Sequence, residues 1–147
     1  MTAKELRIGN VVKIDDEYLG PIEGKVTSVN ESGVVELLLS VSKGNGRYFV
    51  CGSDDIFPIP ITEELLLKIG FKKKRDGYLH YSDHNDEFSI KFDLGYAFIE
   101  YANLCFNPED VTETNYGSSL EFPNTLHLHT LQNIWYLLTG QELNIEL

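Results

Sequence analysis

Strict alternation of apolar and polar residues in EFSIKF, at positions 87–92, constrains the fold more than any other feature of the sequence. In an extended chain its two phenylalanines and its isoleucine point to one side, while its charged residues and serine point to the other. The nearby segments FKKK, YLHY and YAFIEY are also short, and the turn sequences RDG, SDHND and DLG separate them. We therefore predict an antiparallel sheet of about four strands in this part of the chain.

The first 60 residues also consist of short β-type segments separated by turn residues. These segments are RIGNVVKI, KVTSV, VVELLLSV and RYFVCG, at 7–14, 25–29, 34–41 and 47–52. Their spacing predicts a small antiparallel β-meander or an SH3-like barrel. A unit of this size buries little apolar surface, so we expect it to pack against the rest of the chain.

A short helix is predicted in PIPITEELLLKIG, between these two parts. Pro58 and Pro60 hold the preceding chain extended because proline fixes its own backbone and restricts the residue before it. Thr62 is a suitable N-cap, and Gly70 is a suitable residue to end the helix.

A second helix is predicted from about His129 to Thr139, after a short strand TLHL at 125–128, and Gly140 is expected to end it. One stripe of apolar residues at helical spacing is expected to face the core: Leu131, Ile134, Trp135 and Leu138. Gln132 and Asn133 lie off this stripe, so their amides face solvent or reach over to a strand. Trp135 is predicted to be a large core residue, and the tail QELNIEL could add an edge strand.

The predicted class is α+β, with two subdomains packed as one unit. Residues 1–60 form the β-barrel-like subdomain, and residues 61–147 form an α+β subdomain with a helix, the antiparallel sheet and the C-terminal helix. Residues 102–124 are acidic, rich in turn residues and without periodicity, which predicts a long loop. Loops of this length in a compact domain tend to be functional or mobile.

The net charge of −11 is unevenly distributed along the sequence. Residues 1–75 contain 11 basic and 11 acidic residues, whereas residues 76–147 contain one basic and 12 acidic residues. A negative field repels phosphate backbones, so this composition disfavours nucleic-acid binding. No apolar run approaches the roughly 20 residues of a membrane span, and the charged N-terminus does not resemble a secretory signal. We therefore expect no membrane association and a cytoplasmic location.

The sequence predicts no catalytic residue, no cofactor site and no metal site. No nucleophile motif, zinc-protease motif or EF-hand loop is present, and Cys51 and Cys105 are expected to be separate reduced thiols. If a metal were bound, its candidate ligands would be the four histidines, His80, His84, His127 and His129.

The run KKKR at 72–75 is the one basic cluster in the sequence. It is typical of a solvated strand edge, where lysines discourage association between sheets, and a phosphate site is the alternative interpretation. The candidate contacts with a ligand or partner are this cluster and two tyrosines: Lys72, Lys73, Lys74, Arg75, Tyr78 and Tyr116.

Three segments carry a resemblance to a known family: KELRIGNVV, PIPITEELLLKIGF and LHLHTLQNIWYLLTGQEL, in this order. They resemble small uncharacterised proteins found mostly in bacteriophage and prophage regions of gut anaerobes. The usual forms there are LRIGN, PIPLTEEWLLKFGF and H-x-LQNLYFALTGEEL. The matching positions include Leu6, Arg7, Gly9, Asn10, Pro58, Pro60, Thr62, Glu63, Leu66, Gly70, Phe71, His129, Leu131, Gln132, Asn133, Leu138, Thr139 and Gly140. Two positions depart from the family: Ile134 stands where the family tends to have leucine, and Trp135 where it tends to have tyrosine or phenylalanine. Both departures replace one apolar side chain of the helix by another.

The resemblance implies no particular activity, but it favours a virus-encoded accessory protein that acts in a bacterial cytoplasm. The leading expectation is a non-enzymatic protein that binds a host or phage protein through its acidic half. The second is a binder of a nucleotide-type small ligand at residues 72–75. The third is a metal-dependent hydrolase that uses the histidines.

Overall fold

The structure is a computed structural model that describes residues 2–40, 46–75, 77–83, 86–93, 96–103, 116–123, 126–143 and 145. Within these residues the chain forms two antiparallel five-stranded sheets and two α-helices, which confirms the predicted α+β class. The chain divides into two compact units. The first unit comprises Met1–Pro60 and His127–Leu147, and the second unit comprises Ile61–Leu126.

The sheet of the first unit contains β1 (Val11–Asp16), β2 (Gly20–Val29), β3 (Val34–Leu39), β4 (Tyr48–Gly52) and β5 (Ile56–Phe57). Their order in the sheet is β4-β3-β2-β1-β5, and a 3-10 turn at Ser53–Asp55 joins β4 to β5. Two local predictions were wrong. The RIGN segment, expected at the start of a strand, forms a turn in which Gly9 has a φ of 96°. Residues 15–24, which separate the first two predicted segments and were expected to form a turn, contain the end of β1 and the first half of β2, which pair with each other.

The core of this unit is a cluster of alternating side chains from β1, β2, β3 and β5: Val12, Ile14, Ile22, Val26, Val35, Leu37, Leu39 and Ile56. Burial of these aliphatic groups is the main stabilising contribution expected for such a sheet. Among the described residues β4 pairs only with β3 and β5 pairs only with β1. The sheet is therefore not a closed barrel, and the predicted SH3-like barrel is not confirmed.

Helix α2 (Leu128–Thr139) belongs to the first unit, whereas the sequence-based division assigns it to residues 61–147. Its buried residues are Leu128, His129, Leu131, Gln132 and Trp135. The predicted stripe is correct at Leu131 and Trp135, but Ile134 is half-buried and Leu138 is exposed. A polar side chain, Gln132, is buried on this face because it bonds to the backbone of the neighbouring turn and strand.

The ends of α2 follow the prediction more closely. Gly140 ends the helix in the left-handed conformation, with a φ of 71°. The predicted strand before it is reduced to one bridge between Pro60 and His127. The described residues of the tail, 141–143 and 145, form no strand.

The second unit begins with α1 (Glu63–Lys68), as predicted. The Thr62 hydroxyl accepts a hydrogen bond from the Leu65 amide at 3.1 Å, and Gly70 follows the helix with a φ of 104°. The sheet then contains β6 (Lys72–Lys73), β7 (Leu79–Asp83), β8 (Asp86–Asp93), β9 (Tyr96–Asn103) and β10 (Tyr116–Pro123), in the order β10-β9-β8-β7-β6.

Four of these strands were predicted, and β10 was not. It lies inside residues 102–124, which the sequence assigns to a loop, and its sequence YGSSLEFP has no alternation of apolar and polar residues. Pairing with the backbone of β9 makes it a strand despite its composition. Residues 104–115 of the predicted loop lie outside the described residues.

The alternation in β8 is confirmed at Phe88 and Ile90, which are fully buried, whereas Phe92 is half-buried and Ser89 on the other face is also buried. Leu79, Ala97 and Ile99 from the neighbouring strands are also buried. No helix in the described part of the chain is long and apolar enough to cross a membrane.

Candidate functional site

Side-chain amides hold α2 against the start of β1. The Gln132 carbonyl oxygen accepts from the Val11 amide at 2.8 Å, and its amide nitrogen donates to the Gly9 carbonyl at 3.2 Å. Asn10 donates to the Asn133 side-chain oxygen at 2.9 Å. These residues come from LRIGN and LQN, so two of the segments that carry the family resemblance meet in one polar network.

Arg7 and Gly9 extend this network on the surface of the same unit. The Arg7 guanidinium lies 3.8 Å from the centre of the Tyr136 ring and forms an ion pair with Glu142. A side chain at Gly9 would need the left-handed backbone and would bring its Cβ to 3.2 Å from the Glu142 carboxylate. The hydrogen bonds of Asn10 and Gln132 are satisfied within the protein, so these residues serve the architecture and not a ligand.

The histidines are divided between the units. His127 and His129 lie in the first unit, with ring centres 5.7 Å apart and nearly parallel planes. His80 lies in the second unit, and His84 lies outside the described residues. Within the described part of the chain, no group of three histidine, cysteine or acidic side chains is arranged to hold a metal ion.

His129 is a buried histidine at the start of α2. Its Nε2 lies 3.4 Å from the Thr130 hydroxyl, and its Nδ1 is buried with no hydrogen-bond partner among the described residues. Burial, and then the nearby His127, lower the pKa of His129 below its ordinary value, because both disfavour the charged ring.

This lowered pKa predicts a loss of stability on acidification. As the pH falls, the unfolded chain takes up the proton before the folded one does, so stability is full above the unfolded pKa of about 6.5 and decreases below it. In urea denaturation, we expect His129→Gln to lose less stability than the wild type between about pH 7.5 and pH 5.5. An equal loss in the two proteins would contradict the prediction.

A second polar network lies on the face of the second sheet opposite to Phe88 and Ile90. Glu87 Oε1 is 2.6 Å from His80 Nδ1 and accepts from Lys74 Nζ at 2.8 Å, while the Ser89 hydroxyl is 2.9 Å from the same His80 nitrogen. A hydrolytic triad needs its serine and its acid at opposite ring nitrogens. Since both groups approach Nδ1 here, this arrangement does not form the relay of a serine hydrolase.

The charges of this network are mutually compensated. The hydrogen bond from Lys74, together with that of His80, holds the pKa of Glu87 below its ordinary value, although burial opposes the shift. Lys73 Nζ lies 2.7 Å from the Glu63 carboxylate. Two members of the basic cluster are therefore already engaged by carboxylates, which compete with a phosphate for the same ammonium groups.

The other predicted contact residues are dispersed. Lys72 and Arg75 are exposed. The Tyr78 hydroxyl donates to Glu100 at 3.3 Å, and Lys91 Nζ lies 5.5 Å from the centre of its ring. Tyr116 begins β10, and the structure does not describe its side chain.

Sequence reasoning missed a groove of about 390 Å³ in the first unit, which we call the β1–β4 groove. One wall is the end of β1 with the turn that follows it, the other is β4, and the 3-10 turn after β4 also contributes. The residues that line it are Ile14, Asp15, Asp16, Glu17, Tyr18, Phe49, Val50, Cys51 and Asp55. Because the two walls lie far apart in the sequence, no local spacing indicates the groove.

The floor of the β1–β4 groove is the edge of the hydrophobic core. Ile14 belongs to the core cluster, and Phe49 and Cys51 pack against it. Burial, and then the nearby Asp55, raise the pKa of the Cys51 thiol. The thiol therefore remains neutral at physiological pH and contributes to the apolar floor.

The rim of the groove is acidic and carries an exposed aromatic ring. Asp15 and Glu17 are exposed, and in the described part of the chain their carboxylates take part in no ion pair or hydrogen bond. Tyr18 is 93% exposed and Val50 is 60% exposed. Asp55 accepts from the Gly52 amide at 3.3 Å.

Asp16 builds the turn that presents Tyr18. Its Oδ1 accepts from the amides of Tyr18 and Leu19 at 2.9 and 3.0 Å, and its Oδ2 lies 3.4 Å from Arg47. The two backbone hydrogen bonds, followed by Arg47, hold the pKa of Asp16 below its ordinary value. Asp16 thus remains charged and has a structural role, while Asp15 and Glu17 are available to a partner.

Negative charge is shared by the two units. The first unit has 6 basic and 11 acidic residues, a net charge of −5, and the second has 6 and 12, a net charge of −6. Along the sequence, the charge differs on the two sides of residue 75 because a division there separates the basic cluster at 72–75 from the acidic residues of the same unit.

Comparison with known proteins adds no further assignment, because no protein family, curated protein or solved structure matches the chain.

Proposed function

We propose that this chain is a non-enzymatic accessory protein of the phage or prophage type that binds a protein partner through an acidic surface. Its place of action is the cytoplasm of a bacterial host cell. The β1–β4 groove carries the proposal, because it combines an apolar floor with an acidic rim and an exposed aromatic ring. Apolar surface rimmed by polar residues is typical of sites that bind other proteins, and aromatic side chains are enriched in such sites.

The finer fold of the first unit belongs to the same proposal. We propose that its sheet is of the SH3-like type, partly open between β4 and β5. Two observations support this: the strand order β4-β3-β2-β1-β5, and the 3-10 turn between the two end strands. Curling of the sheet also accounts for residues of β1 and β4 lining one groove.

The groove and the engaged basic cluster favour protein binding over the two alternatives. A nucleotide-type ligand at residues 72–75 would have to displace the Glu63 and Glu87 carboxylates from their lysines. A metal-dependent hydrolase would need a set of ligands, and the described residues supply none.

The proposal predicts salt-sensitive capture of a protein that depends on the rim carboxylates. Immobilised wild type should retain a specific protein from host lysate at low salt and release it as the ionic strength rises, because salt screens exposed charges. The double variant Asp15→Asn/Glu17→Gln should retain much less of that protein.

The matched control changes the net charge equally at two glutamates that do not line the groove. Glu31 and Glu121 are exposed, and in the described residues neither side chain has a hydrogen bond or ion pair. Glu31→Gln/Glu121→Gln should capture the protein as the wild type does. If all three baits retain the same proteins in the same amounts, the acidic groove is not the binding surface.

A further inference from the structure

We infer that the β1–β4 groove receives a lysine or arginine side chain from an extended basic segment of its protein partner. This inference rests on the proposed function and specifies the chemistry of the partner. The three parts of the groove that select such a side chain are its apolar floor, its acidic rim and the exposed ring of Tyr18.

The floor matches the aliphatic stem of a long basic side chain. Phe49 and the neutral Cys51, both partly exposed, offer it an apolar surface next to the buried Ile14. Lysine and arginine characteristically place their methylene groups on apolar surface while the charged group stays at the polar edge. A short polar side chain would leave this floor exposed to water, and a purely apolar one would leave the rim carboxylates unpaired.

The rim matches the charged end of the same side chain. Asp15 and Glu17 are exposed carboxylates without a described ion pair, and Asp55 lies in the same lining. Arg47, the basic residue beside the groove, is engaged with Asp16. A guanidinium can bind a carboxylate through two parallel hydrogen bonds and also stack on an aromatic ring such as Tyr18, so we expect arginine to bind more tightly than lysine.

The dimensions of the groove favour an extended segment of chain over a folded surface. A volume of about 390 Å³ is near the lower end of the range of about 300–1,000 Å³ for ligand pockets. It therefore suits one long side chain and its immediate neighbours. One wall is β4, whose exposed Tyr48 and Val50 lie beside the path of such a segment.

Fluorescence anisotropy with labelled peptides tests this inference on the full chain. Four peptides of equal length differ only in having arginine, lysine, glutamine or glutamate at the variable positions. We expect the arginine and lysine peptides to bind, with arginine the tighter, and the glutamine peptide to bind at least about tenfold more weakly. Equal binding of the arginine and glutamine peptides would overturn the inference.

Variants locate the binding in the groove. Asp15→Asn/Glu17→Gln and Tyr18→Ala should each weaken the arginine peptide, the former by about tenfold or more, whereas Glu31→Gln/Glu121→Gln should leave its affinity unchanged. Val50→Lys places an ammonium group beside the rim and should block binding, while Val50→Gln should not. All these positions are exposed, and unchanged circular dichroism and thermal unfolding verify that the variants are folded.

The outcomes separate this inference from the proposed function. If the basic peptides bind but only Glu31→Gln/Glu121→Gln weakens them, the acidic surface lies elsewhere, so the inference fails while acidic partner binding stands. If the glutamine peptide binds as tightly as the basic peptides and Tyr18→Ala weakens all of them, the proposed site stands and its basic ligand is wrong. If no peptide binds and no lysate protein is captured, both fail.

Discussion

Trp135→Ala is expected to lower the free energy of unfolding by about 3–5 kcal/mol, because removal of a buried tryptophan loses its transfer energy and leaves a cavity. Trp135 is only 1% exposed on the face of α2 that packs within the first unit. Urea denaturation followed by circular dichroism measures the change without relying on the fluorescence of the deleted residue.

Leu137→Ala is the matched control for this experiment. It lies on the same helix, also removes a large apolar side chain, and is 82% exposed. A change within about 0.5 kcal/mol is expected there. A loss at Trp135 as small as the loss at Leu137 would contradict the placement of the indole in the core.

Gln132→Ala is expected to lower the free energy of unfolding by about 2–4 kcal/mol. The substitution leaves the Val11 amide and the Gly9 carbonyl without their buried partner, and each unsatisfied group costs about 1–3 kcal/mol. Urea denaturation again provides the measurement.

Two further variants separate the hydrogen bonds from the volume of this side chain. Gln132→Leu keeps most of the volume but not the hydrogen bonds, so it should also destabilise the protein. Gln141→Ala removes an exposed amide just beyond the helix and should have little effect. If Gln132→Leu were as stable as the wild type, the amide would contribute only its volume.

The sequence correctly predicted the parts of the fold that depend only on residues adjacent in the chain. The cap at Thr62 and the stop at Gly70 are local features, since each depends on a few adjacent backbone groups. The alternation of β8 is local as well, because one extended segment displays both faces of the sheet. These features need no knowledge of which other segment packs against them.

The parts that were missed depend on distant partners. β10 is a strand because the backbone of β9 pairs with it. Gln132 reaches over to β1, one of the two alternatives that the sequence left open, and the partners that decide between them, Gly9 and Val11, lie far away in the sequence. Family resemblance pointed to both segments of this polar network but not to their contact. Leu138 has the expected spacing on the helix yet is exposed, whereas Leu131 and Trp135 on the same stripe are buried, because spacing does not show how far along the helix its packing partner extends.

The candidate site shows the same limit. The polar segment DDEY indicates exposure from the sequence, which is correct for Asp15, Glu17 and Tyr18, although Asp15 belongs to β1 and not to a loop. The apolar floor could not, since Phe49 and Cys51 on β4 line the same groove as Ile14 on β1 only in the folded unit. Charge counted along the chain was also misleading, because the groove lies in the half of the sequence that has no net charge.

The division of the first unit into two chain segments has a consequence for its synthesis. Strands β1–β5 leave the ribosome first, but α2, which satisfies the Val11 amide and covers the start of β1, is translated only after the whole second unit. Domains generally fold as units in the order in which they emerge. The second unit can therefore complete its sheet before α2 is available to strands β1–β5, so the first unit is completed after the unit inserted in it.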